Sequence, residues 1–126
     1  MKQEFYRCSH CGNIIAFVEN KGVPVMCCGQ KMEKIIPNST DAAGEKHVPV
    51  INQDGRNITV TVGSVKHPML PEHFIEWISI ETDKGNQRKV LHPDSEPKAE
   101  FVLLEDEHIT TAYAYCNLHG LWKADA

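Results

Sequence analysis

No apolar run in this chain approaches the roughly twenty residues needed to cross a bilayer, and Met1-Lys2-Gln3-Glu4 leads into Phe5-Tyr6-Arg7-Cys8 without a signal-peptide stretch. A cytoplasmic protein is expected. Positive charge is in deficit, with 13 Lys and Arg against 17 Asp and Glu and a formal net charge of -4. Proteins that grip phosphate backbones carry a basic stripe that displaces counterions, so nucleic acid is excluded as a general partner. The chain also lacks a long helical period, an internal repeat, a low-complexity tract and coiled-coil heptads. Without a βαβ pattern, the Cys8-x-x-Cys11 pair does not sit in the setting of a thioredoxin-like redox motif.

What remains is a chain of 126 residues that is 41% hydrophobic, enough for a packed core of one medium domain with a small one attached. Residues 1–36 contain Cys8-Ser9-His10-Cys11-Gly12, the apolar run Ile14-Ile15-Ala16-Phe17-Val18, a turn at Asn20-Lys21-Gly22, and Val25-Met26-Cys27-Cys28-Gly29. So short a segment buries little surface and needs a metal or a partner to hold it together. The breaker-rich segment Pro37-Asn38-Ser39-Thr40-Asp41-Ala42-Ala43-Gly44 is expected to be a linker over 37–44, with a second domain over 45–126.

From Val48 onward, β-favouring runs alternate with turn signals: 48–51, 58–62, 74–81, 88–91, 101–104 and 109–115. Asn52-Gln53-Asp54-Gly55 and Thr82-Asp83-Lys84-Gly85-Asn86 are the expected hairpin turns, and Pro93-Asp94-Ser95-Glu96-Pro97 the expected loop. The spacing suits an antiparallel β-sandwich of about seven strands. The fold class is mainly β, a small metal knuckle followed by a sandwich.

The cysteines divide unevenly. Cys8, Cys11, Cys27 and Cys28 crowd the first quarter, and Cys116 stands near the other end. Five is an odd number, and in a reducing compartment clustered thiols point to metal ligation rather than disulfides. Four thiolates close a tetrahedral site of the zinc-ribbon or rubredoxin kind, with no position left for substrate. On this segment alone iron and zinc stay equal alternatives. Adjacent residues of a regular strand point to opposite faces, so Cys27 and Cys28 must sit on a bend.

Cys116 needs other partners, and His119 stands three residues on in Cys116-Asn117-Leu118-His119. His47, His67 and His73 lie upstream beside strand edges or turns, so loops of a sandwich can assemble a mixed nitrogen and sulfur site with an open position. Taken singly, each histidine is more often a surface or hydrogen-bonded residue than a ligand, and His10, His92 and His108 are assigned to that class.

The motifs Cys8-Ser9-His10-Cys11-Gly12-Asn13-Ile14, Cys27-Cys28-Gly29, Ser39-Thr40-Asp41, Glu45-Lys46-His47-Val48-Pro49-Val50, Gly63-Ser64-Val65-Lys66-His67-Pro68-Met69, His73-Phe74-Ile75-Glu76-Trp77 and Cys116-Asn117-Leu118-His119-Gly120-Leu121-Trp122-Lys123 together closely resemble desulfoferrodoxins, the two-iron class of superoxide reductases. The resemblance runs nearly end to end. It implies a desulforedoxin-like domain with one iron on Cys8, Cys11, Cys27 and Cys28, followed by an immunoglobulin-like β-sandwich with a second iron. It further implies that His47, His67, His73 and His119 supply four equatorial nitrogens and Cys116 an axial thiolate, leaving the opposite position for superoxide. A homodimer, and an external electron donor such as rubredoxin, also follow from the resemblance.

On this reading superoxide is reduced by one electron to hydrogen peroxide, and the axial thiolate pushes electron density toward the substrate as cysteine does in haem sites. Lys46 is expected to bring positive charge and a proton to the open face, and Glu45 to close that face after product leaves. Backbone amides of the Leu118-His119 turn are expected to tune the sulfur. The rivals are an electron carrier of cupredoxin or rubredoxin type without reductase activity, a zinc-ribbon interaction protein, and a dismutase. A cupredoxin needs a nearby axial methionine, which Gly120-Leu121-Trp122-Lys123 does not supply.

Overall fold

The computed structural model describes residues 2–126, which divide into two compact units, residues 2–36 and Pro37–Ala126. In the first, β1 (Phe5–Arg7) pairs antiparallel with both β2 (Ile14–Ala16) and β5 (Glu33–Lys34), while β3 (Met26–Cys27) and β4 (Gln30–Lys31) form a separate hairpin. Among the described residues its buried apolar side chains are Phe5, Cys8 and Met32, and one of these is itself a member of the thiol cluster. So small an apolar core makes the unit dependent on whatever the sulfurs hold.

The second unit opens with a single helical turn, α1 (Gly44–His47), followed by β6 (Pro49–Asp54), β7 (Asn57–Val62), β8 (Ile75–Thr82), β9 (Gly85–Val90), β10 (Lys98–Val102), β11 (Ile109–Cys116) and β12 (Gly120–Asp125). These seven strands form two antiparallel sheets in the orders β10-β7-β6 and β12-β11-β8-β9, an immunoglobulin-like sandwich. Strand β7 carries the two-residue period most plainly, with Ile58, Val60 and Val62 fully buried between exposed or half-buried neighbours. Ile78 and Ile80 of β8, Ala112 and Ala114 of β11, and Phe101 of β10 complete the same core. Each fully buried aliphatic side chain contributes about 1.5–3 kcal/mol of transfer free energy.

The period in β11 has a consequence for chemistry. Ala112, Ala114 and Cys116 lie on one face of the strand, so the sulfur at its end is a core position. A register shift between Tyr115 and Cys116 brings Cys116 opposite Ile75 at the start of β8.

Residues 37–44, where the sequence suggests a linker, lie with the second unit. The Asn38 amide donates to the Leu121 carbonyl at 3.0 Å, its side-chain Nδ2 donates to the Lys123 carbonyl at 3.2 Å, and its Oδ1 accepts from the Lys123 amide at 2.8 Å. Strand β12 is also absent from the runs read in the sequence. It opens at Gly120, which at φ 79 makes the sharp turn out of the Cys116–His119 loop, and that turn hides the strand that follows.

Candidate metal centres

In the first unit, Cys8, Cys11, Cys27 and Cys28 bring their sulfurs within 4.8 Å of one another. The Cys8 carbonyl accepts from the Gly12 amide at 2.9 Å, closing the turn that carries the first pair. Cys27 ends β3, and the bend required between the adjacent thiols is made by left-handed backbone, Cys28 at φ 53 and Gly29 at φ 75. The Cys11 amide, 3.5 Å from the Cys8 sulfur, holds that thiol down at about 6. Hydrogen bonding with Cys11, followed by that with Cys8, instead pushes the Cys28 thiol up to about 12. Four thiols so placed compete for ionisation unless a cation sits among them, and a soft metal of tetrahedral habit fits that donor set.

In the second unit, loops and strand ends of the sandwich gather imidazoles around Cys116. His47 ends α1, His67 follows β7, His73 precedes β8, and Cys116 and His119 flank the β11–β12 turn. His47, His67, His73 and Cys116 place their ligand atoms within 4.8 Å of one another. His119 joins them through Nδ1, 3.1 Å from His47 Nε2 and 3.9 Å from Cys116 Sγ.

Protonation follows from the partners. His47 Nδ1 lies 2.7 Å from the Ala43 carbonyl and His67 Nδ1 lies 2.7 Å from the Pro68 carbonyl. A carbonyl only accepts, so both Nδ1 atoms carry hydrogen and both Nε2 atoms present lone pairs when the rings are neutral. Burial keeps them neutral, lowering His47 and taking His67 down to about 4. Yet the two Nε2 atoms face each other at 3.2 Å, where no proton is available to join them. His73 Nε2 is buried without a hydrogen-bond partner. Lone pairs converging in this way are stable around a cation, and the residues fit one.

The sulfur sits at the interior end of this set. Cys116 is fully buried and its thiol is raised by burial, while the amides of Leu118 and His119 hydrogen-bond to it and act in the opposite direction. These are the donors expected from the sequence. His73 and His119 are half-buried, so the pocket grades from a dry sulfur toward solvent. Glu45 and Lys46 are exposed on α1, and positive charge at Lys46 is felt by both His47 and His73. A Cβ at Gly63 would lie 2.7 Å from the Glu45 carbonyl oxygen and 3.1 Å from the Lys46 carbonyl carbon, so glycine there lets α1 approach β7 closely.

Two orienting residues escape sequence reasoning. Trp122 stacks on His47 with centroids 4.8 Å apart, and its indole Nε1 donates to the His119 carbonyl at 3.1 Å. Asn117 grips the backbone on either side of His73: Oδ1 accepts from the Phe74 amide at 2.9 Å and Nδ2 donates to the Glu72 carbonyl at 3.0 Å. Asn117→Ala is expected to weaken metal binding at the second centre by about 10–100-fold, the range for groups that orient a ligand. Competition with a chelator checks this, with binding at the four-cysteine centre unchanged as the internal reference.

Met69, which could have served a copper site, has its sulfur engaged by the Ile75 amide at 3.4 Å and stands outside the donor set. His108, assigned to the surface class, pairs with Asp83 at 3.0 Å.

A four-thiol knuckle and an immunoglobulin-like sandwich with a histidine and thiolate pocket define a metalloprotein with two centres, one closed by sulfur and one open to solvent. The profile described as desulfoferrodoxin matches residues 39–125, and that described as desulfoferrodoxin, N-terminal domain, matches residues 1–35. The chain is 47% identical over 122 residues to the desulfoferrodoxin of Clostridium acetobutylicum, covering 95% of this chain and 94% of the relative. It is 46% identical over 123 residues to the desulfoferrodoxin of Nitratidesulfovibrio vulgaris, covering 98% and 96% respectively. Among solved structures, the crystal structure of the superoxide reductase from Treponema pallidum superposes with a TM-score of 0.84 at 36% identity, covering 99% of this chain and all of the other. The chain belongs to the desulfoferrodoxin family.

Proposed function

We propose that this chain is a superoxide reductase that converts superoxide to hydrogen peroxide with one electron and two protons. Iron is held by His47, His67, His73, His119 and Cys116 in the second unit, and a further iron by Cys8, Cys11, Cys27 and Cys28 in the first. The observation that carries the reading is the convergence of unprotonated ring nitrogens and one amide-bonded sulfur in a pocket graded toward solvent. When bound, ferrous iron at this pocket supplies the electron that superoxide accepts.

The protein's residues prepare that transfer. Neutral imidazoles leave the thiolate of Cys116 as the only anionic donor, so the loaded pocket is net cationic and attracts an anion. The amides of Leu118 and His119 moderate how much density the sulfur donates. Lys46 steers superoxide toward the half-buried side and holds at Nζ a proton for the product. Glu45, its neighbour on α1, closes that side once product has left.

An external donor such as rubredoxin restores the electron, the chain acts as a homodimer, and the reducing cytoplasm keeps the five cysteines unpaired. The reading is tested by mixing reduced, iron-loaded protein rapidly with superoxide under anoxia. Oxidation of the second centre one-for-one with superoxide is expected. A centre that stays reduced while superoxide decays at its spontaneous rate would remove the proposal.

A further inference from the structure

The four-cysteine centre has an uneven set of hydrogen-bond donors. The Cys11 amide donates to Cys8 Sγ at 3.5 Å and the Asn13 amide donates to Cys11 Sγ at 3.5 Å, both fixed by the backbone of the turn. The Asn13 side chain differs from these: its Nδ2 donates to Cys27 Sγ at 3.6 Å, reaching from the first cysteine pair across to the second. Asn13 is exposed, so no packing requirement explains an amide in that position.

From this geometry we infer that Asn13 sets the reduction potential of the four-cysteine centre, through its side-chain hydrogen bond to Cys27. The inference rests on the proposal that this centre holds iron. Four thiolates around ferric iron carry one net negative charge, and adding one electron from an external reductant raises that to two without making or breaking a bond. The added negative charge is shared with the sulfurs, so a donor pointed at a sulfur stabilises the reduced state more than the oxidised one. Asn13 therefore raises the potential and eases electron entry. A substitution at so exposed a position leaves the fold of the unit intact.

The test is a redox titration of the four-cysteine centre, with mediators and dithionite, in wild type, Asn13→Leu and Asn13→Asp, followed by the ferric thiolate absorption. Asn13→Leu keeps the size and removes the donor, and is expected to lower the ferrous-to-ferric ratio at a fixed poise by about fivefold. Asn13→Asp places an anion against the sulfur and is expected to lower it further, by an amount that shrinks as salt is added. The second centre, in the other unit, is expected to keep its wild-type potential in both variants. Equal four-cysteine potentials in all three proteins would overturn the role of Asn13 while leaving the iron assignment standing. Absence of the ferric thiolate absorption from wild type loaded with iron would overturn the assignment itself, and the inference with it.

Discussion

Replacing Cys116 with serine is expected to lower the rate of superoxide reduction by more than about a hundredfold, beyond the 10–100-fold range of residues that merely orient a ligand. The reason lies in where the sheet puts this residue. Cys116 ends the inward face of β11, fully buried, and the amides of Leu118 and His119 are already directed at its sulfur. A serine hydroxyl is a hard donor that stays neutral at physiological pH, so it would supply far less electron density to a metal held here than a thiolate would. The change is nearly isosteric, so the sandwich should retain its stability and the first unit its iron. Iron counts per chain, absorption of each centre and rapid-mixing rates check the three parts of this expectation.

Lys46→Ala is expected to slow the reaction by about tenfold or more at low ionic strength, where steering by charge acts at full strength. The chain is acidic overall, and Glu45 and Glu72 place negative charge near His47 and His73, so superoxide approaches this side against a repulsive background. Lys46 is the lysine whose positive charge is felt by both of those histidines. Its influence falls with salt, over a screening length of about 8 Å at physiological ionic strength. Wild-type rates should therefore decline as salt is added, while those of Lys46→Ala stay flatter and the two converge. Lys46→Arg should keep most of the rate. Stopped-flow measurements across ionic strength check this, and equal rates at low salt would remove the steering role.

Much of the fold follows from pattern. The alternation in Asn57–Val62 and the turn signals at 52–55 and 82–86 specify two hairpins, and the structure forms both, β6–β7 and β8–β9. The adjacent cysteines demand a bend, and the left-handed backbone at Cys28 and Gly29 supplies it. Strand β12 escapes because it opens at Gly120, directly after the Cys116–His119 loop, so its residues read as a continuation of that loop.

The second pocket is legible to a lesser degree. The Cys116 and His119 spacing marks one turn, but His47, His67 and His73 come from separate loops, and their convergence depends on tertiary packing that no local period encodes. Spacing offers those three only as candidates, and it is the family resemblance that implies their role as ligands. Asn117, Trp122 and Gly63 stand inside the quoted motifs, but their roles are not legible there, for a related reason. Each acts through contacts to backbone or to a ring, most of them distant in sequence, and a lone asparagine, tryptophan or glycine carries no signal of such contacts.

The most direct test counts electrons. Iron-loaded protein is supplied with superoxide at a steady rate and with a measured pool of reduced rubredoxin, and donor oxidation is compared with peroxide formed. One donor electron consumed and one hydrogen peroxide formed for each superoxide removed is the predicted result. Superoxide removal without net donor oxidation, with one peroxide and one dioxygen for every two superoxides, would be dismutation and would contradict reduction at the Cys116 pocket.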